Sequence, residues 1–438
     1  MNEAVRGFLR ALFAATFGSQ AGGTGYPFAQ LPSLRTVVTA VAVVLVVVVA
    51  LRFSVPRVRR HEGAIVALWL GVAFAAQLAL SGLAYASMSA AIESEGANGF
   101  YTVSERTSAA DVLSRFRDAA STFPLHVRAN MPGKMLLFDA LAMITRSTRT
   151  MAYVIIVVSN LGGVLVYLLA RRWFQDSLTA FYALVLYLFL PARLYFFPAL
   201  NTVSPVLMLL VFWFATRSFE SQRRIDYVLT GAGLYALAIF EPLPLVAMPM
   251  LAVLLVRPVV GREINWSRAV VMAGWMAASF GLVYLGMRGV FGFDLLDAFW
   301  FLLDDALAFN VKTQRPYSVW IVHNLKDFFL NMGVAQSVVF AAFVVWIVRK
   351  LIATSGEFRL SNDVLLTITF LAILLGVDLA GVNRGETVRL WIFLGVLMQM
   401  LVARACTIWS ERRLFEPVLA VSLLQTALCL TIVAWIIP

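Results

Sequence analysis

Long apolar runs recur along the chain, with short polar connections between them. The runs are continuous rather than alternating, and most approach the length of roughly 20 residues that an α-helix needs to cross a bilayer. This pattern predicts an all-α, polytopic integral membrane protein of about 12 transmembrane helices, and it excludes a β-barrel, whose strands alternate. The predicted spans are residues 36–53, 64–87, 150–170, 177–192, 202–218, 227–240, 242–256, 268–290, 328–348, 361–380, 387–404 and 415–437.

The polar connections divide the chain into a leader and one transmembrane domain. Residues 1–35 are predicted to form an amphipathic leader, because residues 3–17 have an apolar face but are too short to cross. Residues 36–437 form the transmembrane domain, with two long connections at 88–149 and 291–326. Pro242 and Pro244 interrupt two short spans, so we expect a broken or re-entrant pair there.

Basic residues mark every second connection. Six connections carry 18 Lys or Arg, whereas the alternate connections, leaving out the long 88–149 loop, carry seven. By the positive-inside rule the basic set is cytoplasmic, so both long loops and both termini are expected on the outer face. The predicted localisation is the plasma (inner) membrane of a bacterium, with the functional face outward.

Composition and motifs narrow the classes of function. The chain is 61% hydrophobic and 13% charged, which excludes a soluble enzyme. The net charge of +11 is explained by topology, so no nucleic-acid partner is expected. The short cytoplasmic connections contain no Walker motif, which argues against an ATP-driven pump. Cys406 and Cys429 lack partners at metal-ligand spacing.

The loop at 88–149 combines two predicted interfacial helices, around 108–117 and 134–145, with a cationic stretch between them. His126-Val127-Arg128-Ala129-Asn130-Met131-Pro132-Gly133 resembles the His-x-Arg-x-(His/Asn)-x-Pro-Gly run in the first outer loop of some bacterial GT-C glycosyltransferases. The stretch Asn383 to Trp391 is similar to an Arg-Gly-Glu-x-x-Arg-x-Trp turn near the end of related proteins. The resemblance in topology covers roughly residues 64–404.

The resemblance implies a GT-C-like fold with outer juxtamembrane helices, a polyprenyl-phosphate-linked sugar donor and an outward-facing site. GT-C enzymes place a catalytic carboxylate early in the first outer loop, where Glu93 and Glu95 stand here, with Glu105 and Asp111 further on. Sugar transfer needs a base for the acceptor hydroxyl and cations for the leaving phosphate. The predicted catalytic residues are Glu93, Glu95 and Asp111, and the predicted phosphate- or lipid-binding residues are His126, Arg128, Lys134, Arg384, Glu386 and Arg389.

Each of these assignments has a simpler alternative. The loop carboxylates are also typical of solvated surface charges, the loop cations of contacts with lipid headgroups, and Glu386 of a helix cap. No metal site is assigned, although the pair Asp304 and Asp305 leaves a divalent cation as an alternative to solvated charges. Asp378, within a predicted span, is expected to need a cation such as Arg384 or Arg389.

Three functions therefore remain open from the sequence. The first is a membrane glycosyltransferase that moves a sugar from polyprenyl phosphate to a glycan, lipid or protein acceptor. The second is a non-catalytic GT-C-like subunit that binds a lipid or a partner membrane subunit, since no Asp-Asp or Asp-Glu pair stands in the first loop. The third, a transporter or flippase, is disfavoured because the sequence shows no internal repeat. The glycosyltransferase hypothesis predicts that the first loop and the Asn383–Arg389 turn build one cavity, with Glu241 at its edge.

Overall fold

The apolar runs form long α-helices. The computed structural model describes residues 26–96, 99–221, 223–260, 265–353, 361–409 and 412–437. Within these residues, 10 helical segments are long and apolar enough to cross a membrane, which makes the chain a multi-pass membrane protein. They are Leu34–Ser54, Glu62–Ser81, Thr148–Phe174, Ser177–Tyr195, Leu200–Phe219, Trp266–Phe291, Val334–Ala353, Asn362–Ala380, Ile392–Trp409 and Arg412–Ile432.

The remaining two predicted spans are shorter than a full crossing. The segment predicted at 227–240 is a helix of 17 residues, Arg224–Phe240. The chain is extended at Glu241, continues as a 3-10 helix, Leu243–Ala247, and then forms the α-helix Met248–Val260. Prolines at 242 and 244 explain the break, since each lacks an N–H and restricts the residue before it. The predicted count of about 12 is therefore not confirmed, whereas the predicted break is.

The first long loop folds into six short helices among its described residues, rather than the two that were predicted. The predicted helix at 108–117 is divided at Arg115, and the predicted helix at 134–145 ends at Ala142. The helices of this loop are Met88–Glu93, Phe100–Ser104, Ala109–Ser114, Phe116–Ala120, Leu125–Arg128 and Gly133–Ala142.

The second long loop contains two longer helices. Leu295–Lys312 is followed by Tyr317–Asn331, and the next long helix begins at Val334. The span predicted at 328–348 therefore began too early, because the apolar residues at 328–330 belong to the preceding helix. We call Leu295–Lys312 the roof helix, because it covers the cavity described below.

Contacts between distant residues place the basic connections at one end of the bundle. Arg52 pairs with Glu416 at 2.9 Å, and Arg404 pairs with Asp363 at 2.9 Å. Arg257 donates to Asn362 Oδ1 at 2.7 Å. We call this end the basic end.

The described ends of the chain meet at the opposite end, with the first loop. The backbone N–H of Ala29 donates to Ile432 O at 2.8 Å, and that of Ala434 donates to Pro27 O at 3.0 Å. Ser94 Oγ of the first loop donates to Ile437 O at 2.7 Å. Residues 1–25, and with them the predicted leader helix, lie outside the described residues. We call this end the loop end.

A completely buried arginine lies inside the bundle. Arg193 lies between the spans predicted at 177–192 and 202–218, yet its side chain is fully buried. Its guanidinium donates to Ser159 Oγ at 2.9 Å and to Asn160 Oδ1 at 2.6 Å, and it lies 4.4 Å from the centre of the Tyr187 ring. The short helix Pro191–Tyr195 turns this residue inward instead of towards a connection.

Candidate functional site

A cavity of about 340 Å³ lies at the loop end. Its walls come from the first loop, the break after Glu241, the roof helix, the end of Asn362–Ala380 and the turn at 382–390. The lining residues of the first loop are Leu125, His126, Ala129, Asn130 and Met131. The predicted union of the first loop and the distant turn in one cavity is therefore confirmed, and Glu241 is among the lining residues. The lining residues that carry charge or an imidazole are His126, Glu241, Asp305, Arg315, Arg384, Glu386 and Arg389.

Most of the residues that line the cavity are apolar. Among them, Val246 belongs to the 3-10 helix Leu243–Ala247, and Val377 belongs to the helix Asn362–Ala380. Leu303 and Phe309 belong to the roof helix. The outer side of the roof helix is also apolar, with Trp300 60% exposed. We call the charged lining residues and His126 the charged wall, and the apolar lining residues the apolar wall. A cavity lined by both kinds of residue suits a ligand with a polar head and an apolar chain.

The turn at 382–386 is held in an unusual backbone conformation. Gly385 and Glu386 both have positive φ, at 82° and 58°. Glycine adopts this region freely, whereas a residue with a side chain is strained there. Asn324 fixes the turn, since its side chain accepts from the N–H of Gly385 at 3.1 Å and donates to Asn383 O at 3.0 Å.

Two arginines fasten the turn to the second long loop. Arg315 Nη1 donates to the backbone oxygen of Arg384 at 2.5 Å, and Arg384 Nη1 donates to that of Arg315 at 2.9 Å. Arg315 Nη2 also lies 3.7 Å from Glu386 Oε1. These contacts hold both guanidinium groups at the wall of the cavity.

Glu386, Arg389 and His126 form the centre of the charged wall. Arg389 Nη2 lies 2.5 Å from Glu386 Oε2 and 3.5 Å from His126 Nδ1. Burial, together with the positive charge of Arg389, lowers the pKa of His126 to about 4. Burial opposes ionisation of Glu386, but Arg389 and Arg315 hold its pKa below the usual value. At neutral pH the site therefore presents a neutral imidazole beside an ionised carboxylate.

Lys134 lies behind the cavity rather than on its wall. Its ammonium is 3.1 Å from Glu241 Oε2 and donates to Asn130 Oδ1 at 2.8 Å, and both charged side chains are nearly inaccessible, at 1% and 6%. Asn201 and Ser204 donate to the same carboxylate. Burial lowers the pKa of Lys134. The predicted phosphate ligand is thus part of a buried ion pair that ties the first loop to the break after Phe240.

Gly133 explains the close approach of these two segments. A Cβ atom at this position would lie 2.6 Å from Ile239 O, which is too close for any residue with a side chain. The Pro132-Gly133 pair therefore permits the helix Gly133–Ala142 to pack against the end of Arg224–Phe240.

Arg128 also binds a protein carboxylate. Its Nη2 lies 2.7 Å from Asp305 Oδ1 on the roof helix, and Arg128 is not among the residues that line the cavity. Asp305 faces the cavity while Asp304 is exposed. The described residues contain no group of three or more His, Cys, Asp or Glu side chains placed to hold a metal ion, so the divalent-cation alternative gains no support from this pair.

The three predicted catalytic carboxylates lie away from the cavity. Glu93 accepts from the Thr148 hydroxyl at 2.7 Å, and Glu95 lies 3.6 Å from Arg106. Asp111 interacts with its own helix cap, accepting from Ser108 Oγ at 2.6 Å. All three residues are exposed, and none lines the cavity, so its geometry does not support their predicted role.

Several contacts at the site were not anticipated from the sequence. The partner of Asp378 is Asn324 Nδ2 at 3.1 Å, rather than either of the cations expected. Arg315 lies in the predicted 291–326 connection, and it contacts both Arg384 and Glu386. The sequence gives no local signal for these contacts, because Arg384 lies 69 positions further along the chain.

Comparison with known proteins leaves the family open. No protein-family model matches the chain, and its sequence matches no curated protein.

Proposed function

We propose that the chain is a membrane glycosyltransferase that uses a polyprenyl-phosphate-linked sugar and that its cavity faces outward. The observation that carries this proposal is the joining of a charged wall and an apolar wall in one cavity at the loop end. The charged wall suits a phosphate and a sugar, and the apolar wall suits the first isoprene units of the lipid. The outward orientation rests on the basic end being cytoplasmic.

The charges around the cavity favour a phosphate that gains negative charge. Among the described residues, five cations either line the cavity or pair with a lining carboxylate: Arg128, Lys134, Arg315, Arg384 and Arg389. Three lining carboxylates oppose them: Glu241, Asp305 and Glu386. The excess of two positive charges matches the polyprenyl phosphate dianion, which forms from a singly charged sugar phosphodiester during transfer.

Glu386 is the carboxylate best placed to act as the base. Its side chain is 25% exposed, compared with 15% for Asp305 and 6% for Glu241. Oε2 binds Arg389 closely, whereas Oε1 lies 3.7 Å from Arg315 and can accept a hydroxyl proton. In the reaction, the acceptor oxygen attacks the anomeric carbon of the sugar and the bond from that carbon to the phosphate oxygen breaks. The acceptor proton passes to Glu386, and polyprenyl phosphate leaves.

Replacing this carboxylate should stop transfer without preventing binding. The full chain in liposomes, given polyprenyl-phosphate-mannose or polyprenyl-phosphate-arabinose together with an extract of membrane glycans and lipids as acceptor, is expected to release polyprenyl phosphate as the sugar joins an acceptor hydroxyl. Glu386→Gln is expected to lower this rate by roughly 10²- to 10⁴-fold, the usual contribution of a general base. Glu93→Gln is the matched control, because Glu93 is exposed and bound to Thr148. An active Glu386→Gln enzyme together with an inactive Glu93→Gln enzyme would return the catalytic role to the first loop.

The second candidate is a non-catalytic subunit that binds the same lipid. It is favoured by one observation, namely that no carboxylate among the described residues of the first loop lines the cavity. This function predicts saturable binding of polyprenyl phosphate without turnover of either donor. Binding that requires Arg389 but is accompanied by no sugar release would therefore select the subunit over the enzyme.

A further inference from the structure

The imidazole of His126 contacts a group that can only donate hydrogen bonds. Arg389 Nη2 lies 3.5 Å from Nδ1 of the ring, and a guanidinium carries N–H donors but no acceptor. Nδ1 must therefore act as the hydrogen-bond acceptor, with its lone pair directed at Arg389. The proton of the neutral ring then resides on Nε2, at the opposite side of the imidazole.

The surroundings of the ring also disfavour the charged imidazolium. Arg389 and Lys134 lie close enough to repel a positive charge, and the ring is largely buried. Glu386 is the group that favours the charge, but Arg389 already binds its Oε2 at 2.5 Å. Asp305 on the roof helix lines the same cavity and is paired with Arg128.

A hydrogen bond to the backbone of His126 helps to hold this residue in place. Asn130 Nδ2 donates to His126 O at 2.7 Å, and Asn130 Oδ1 in turn accepts from Lys134. His126 lines the cavity, and the hydrogen-bond contact of its ring with a described residue is that of Nδ1 with Arg389. A ligand in the cavity is therefore the available acceptor for the N–H at Nε2.

We propose that His126 is a neutral Nε2–H donor to a phosphate oxygen of the bound lipid, with Arg389 setting its tautomer. This rests on the proposed lipid-phosphate site and deepens it. The sequence pattern had grouped His126 with Arg128 and Lys134 as three cations. The three residues instead divide their roles, since Arg128 and Lys134 bind protein carboxylates and His126 alone lines the cavity.

The tautomer can be measured without any substrate. The chain contains three histidines, so the double variant His61→Gln/His323→Gln leaves His126 alone for ¹⁵N-histidine solid-state NMR in liposomes. At pH 7 we expect one protonated nitrogen assigned to Nε2 and one unprotonated nitrogen assigned to Nδ1. An imidazolium spectrum, or a proton on Nδ1, would overturn the proposal while leaving the proposed sugar transfer untouched.

The contact with phosphate is tested by adding the ligand to the same sample. Polyprenyl monophosphate is expected to shift the Nε2 resonance, whereas inorganic phosphate at the same concentration should have less effect, because it lacks the chain that fits the apolar wall. An equal shift with both would identify a free-phosphate site. A resonance that moves with neither would overturn the phosphate contact, even if the donor sugars were still turned over.

Replacing His126 by Gln or by Asn shows in a binding assay which ring nitrogen donates to the phosphate. The amide of Gln reaches the position of Nε2, and that of Asn reaches only the position of Nδ1. His126→Gln is expected to keep affinity for polyprenyl phosphate within about threefold, and His126→Asn to lose roughly ten- to a hundredfold, as for a lost hydrogen bond to a charged group. Equal effects of the two substitutions, large or small, would contradict a donor at Nε2.

Discussion

Glu386 occupies a backbone region that residues with side chains rarely adopt. Its φ of 58° is one of three positive values among the described non-glycine residues. Such a conformation costs of order 1–3 kcal/mol and is retained where the surrounding structure compensates for it. Here Asn324 and Arg315 hold the turn, and the strain directs the carboxylate towards Arg389 and the cavity. The strained backbone of the turn thus accompanies a defined position of the Glu386 side chain.

The buried imidazole of His126 predicts a pH dependence of stability. Its pKa is about 4 in the folded chain and about 6.5 in an exposed histidine. Between these values the unfolded chain binds the proton more readily, so stability falls as the pH falls through this window. The free energy of unfolding falls by about 2 kcal/mol from pH 7.5 to pH 5 because of this group, which has almost no effect at neutral pH and above. We expect His126→Gln to lose less thermal stability than the wild type over this range.

Other groups titrate in the same window, so the measurement must be a comparison. Burial raises the pKa of Asp327 to about 7, against the lowering effect of Lys326, and this group acts in the opposite direction. Its contribution is common to both proteins and cancels in their difference. Identical pH profiles of the melting temperature for wild type and His126→Gln would show that His126 is not held neutral by its surroundings.

At the scale of elements, the buried pair of Lys134 and Glu241 joins the first loop to the transmembrane helices. Removing one partner leaves an uncompensated buried charge, which typically costs about 3–5 kcal/mol. Lys134→Met should therefore be strongly destabilising, and Lys134→Met/Glu241→Gln should recover much of that loss. Thermal unfolding of both single variants and of the double variant measures the coupling.

An exposed ion pair provides the matched control for this experiment. Arg117 and Asp297 lie 2.8 Å apart, but their side chains are 64% and 50% exposed. Arg117→Met should cost less than about 1 kcal/mol because solvent screens such pairs. Similar costs for Lys134→Met and Arg117→Met would show that the buried pair does not fasten the loop.

The elements themselves were more predictable than their contacts. Continuous apolar runs identified the long helices, and prolines 242 and 244 identified the break, because both signals act within one segment. The short charged motifs at 126–133 and 383–391, and the family resemblance that they carry, brought His126 and Glu386 into consideration. The pairing of Arg128 with Asp305 and of Lys134 with Glu241 joins residues over 100 positions apart, which no periodicity encodes. For this reason the sequence predicted charged residues at the site but misassigned which of them reach the cavity.

At the scale of the whole molecule, the charge distribution predicts an orientation. Cysteine labelling of intact cells can test it in a background with Cys406 and Cys429 replaced. Ser121→Cys, exposed in the first loop, should react with a membrane-impermeant maleimide from outside. Arg59→Cys, exposed at the basic end, should react only after permeabilisation. The reverse labelling would turn the cavity towards the cytosol and remove the proposed site of transfer.

The pairing of the two described chain ends has a consequence for biogenesis. The helix Leu34–Ser54 packs against Arg412–Ile432, and Ala29 and Pro27 bond to the segment that follows the latter helix. During synthesis the face of Leu34–Ser54 that packs against Arg412–Ile432 therefore lacks its partner until the later helix has been inserted. The buried residues Val43 and Val47 of Leu34–Ser54 are apolar, which suits contact with lipid if that partner is missing. Chains arrested before Arg412–Ile432 should thus be less stable than the complete bundle.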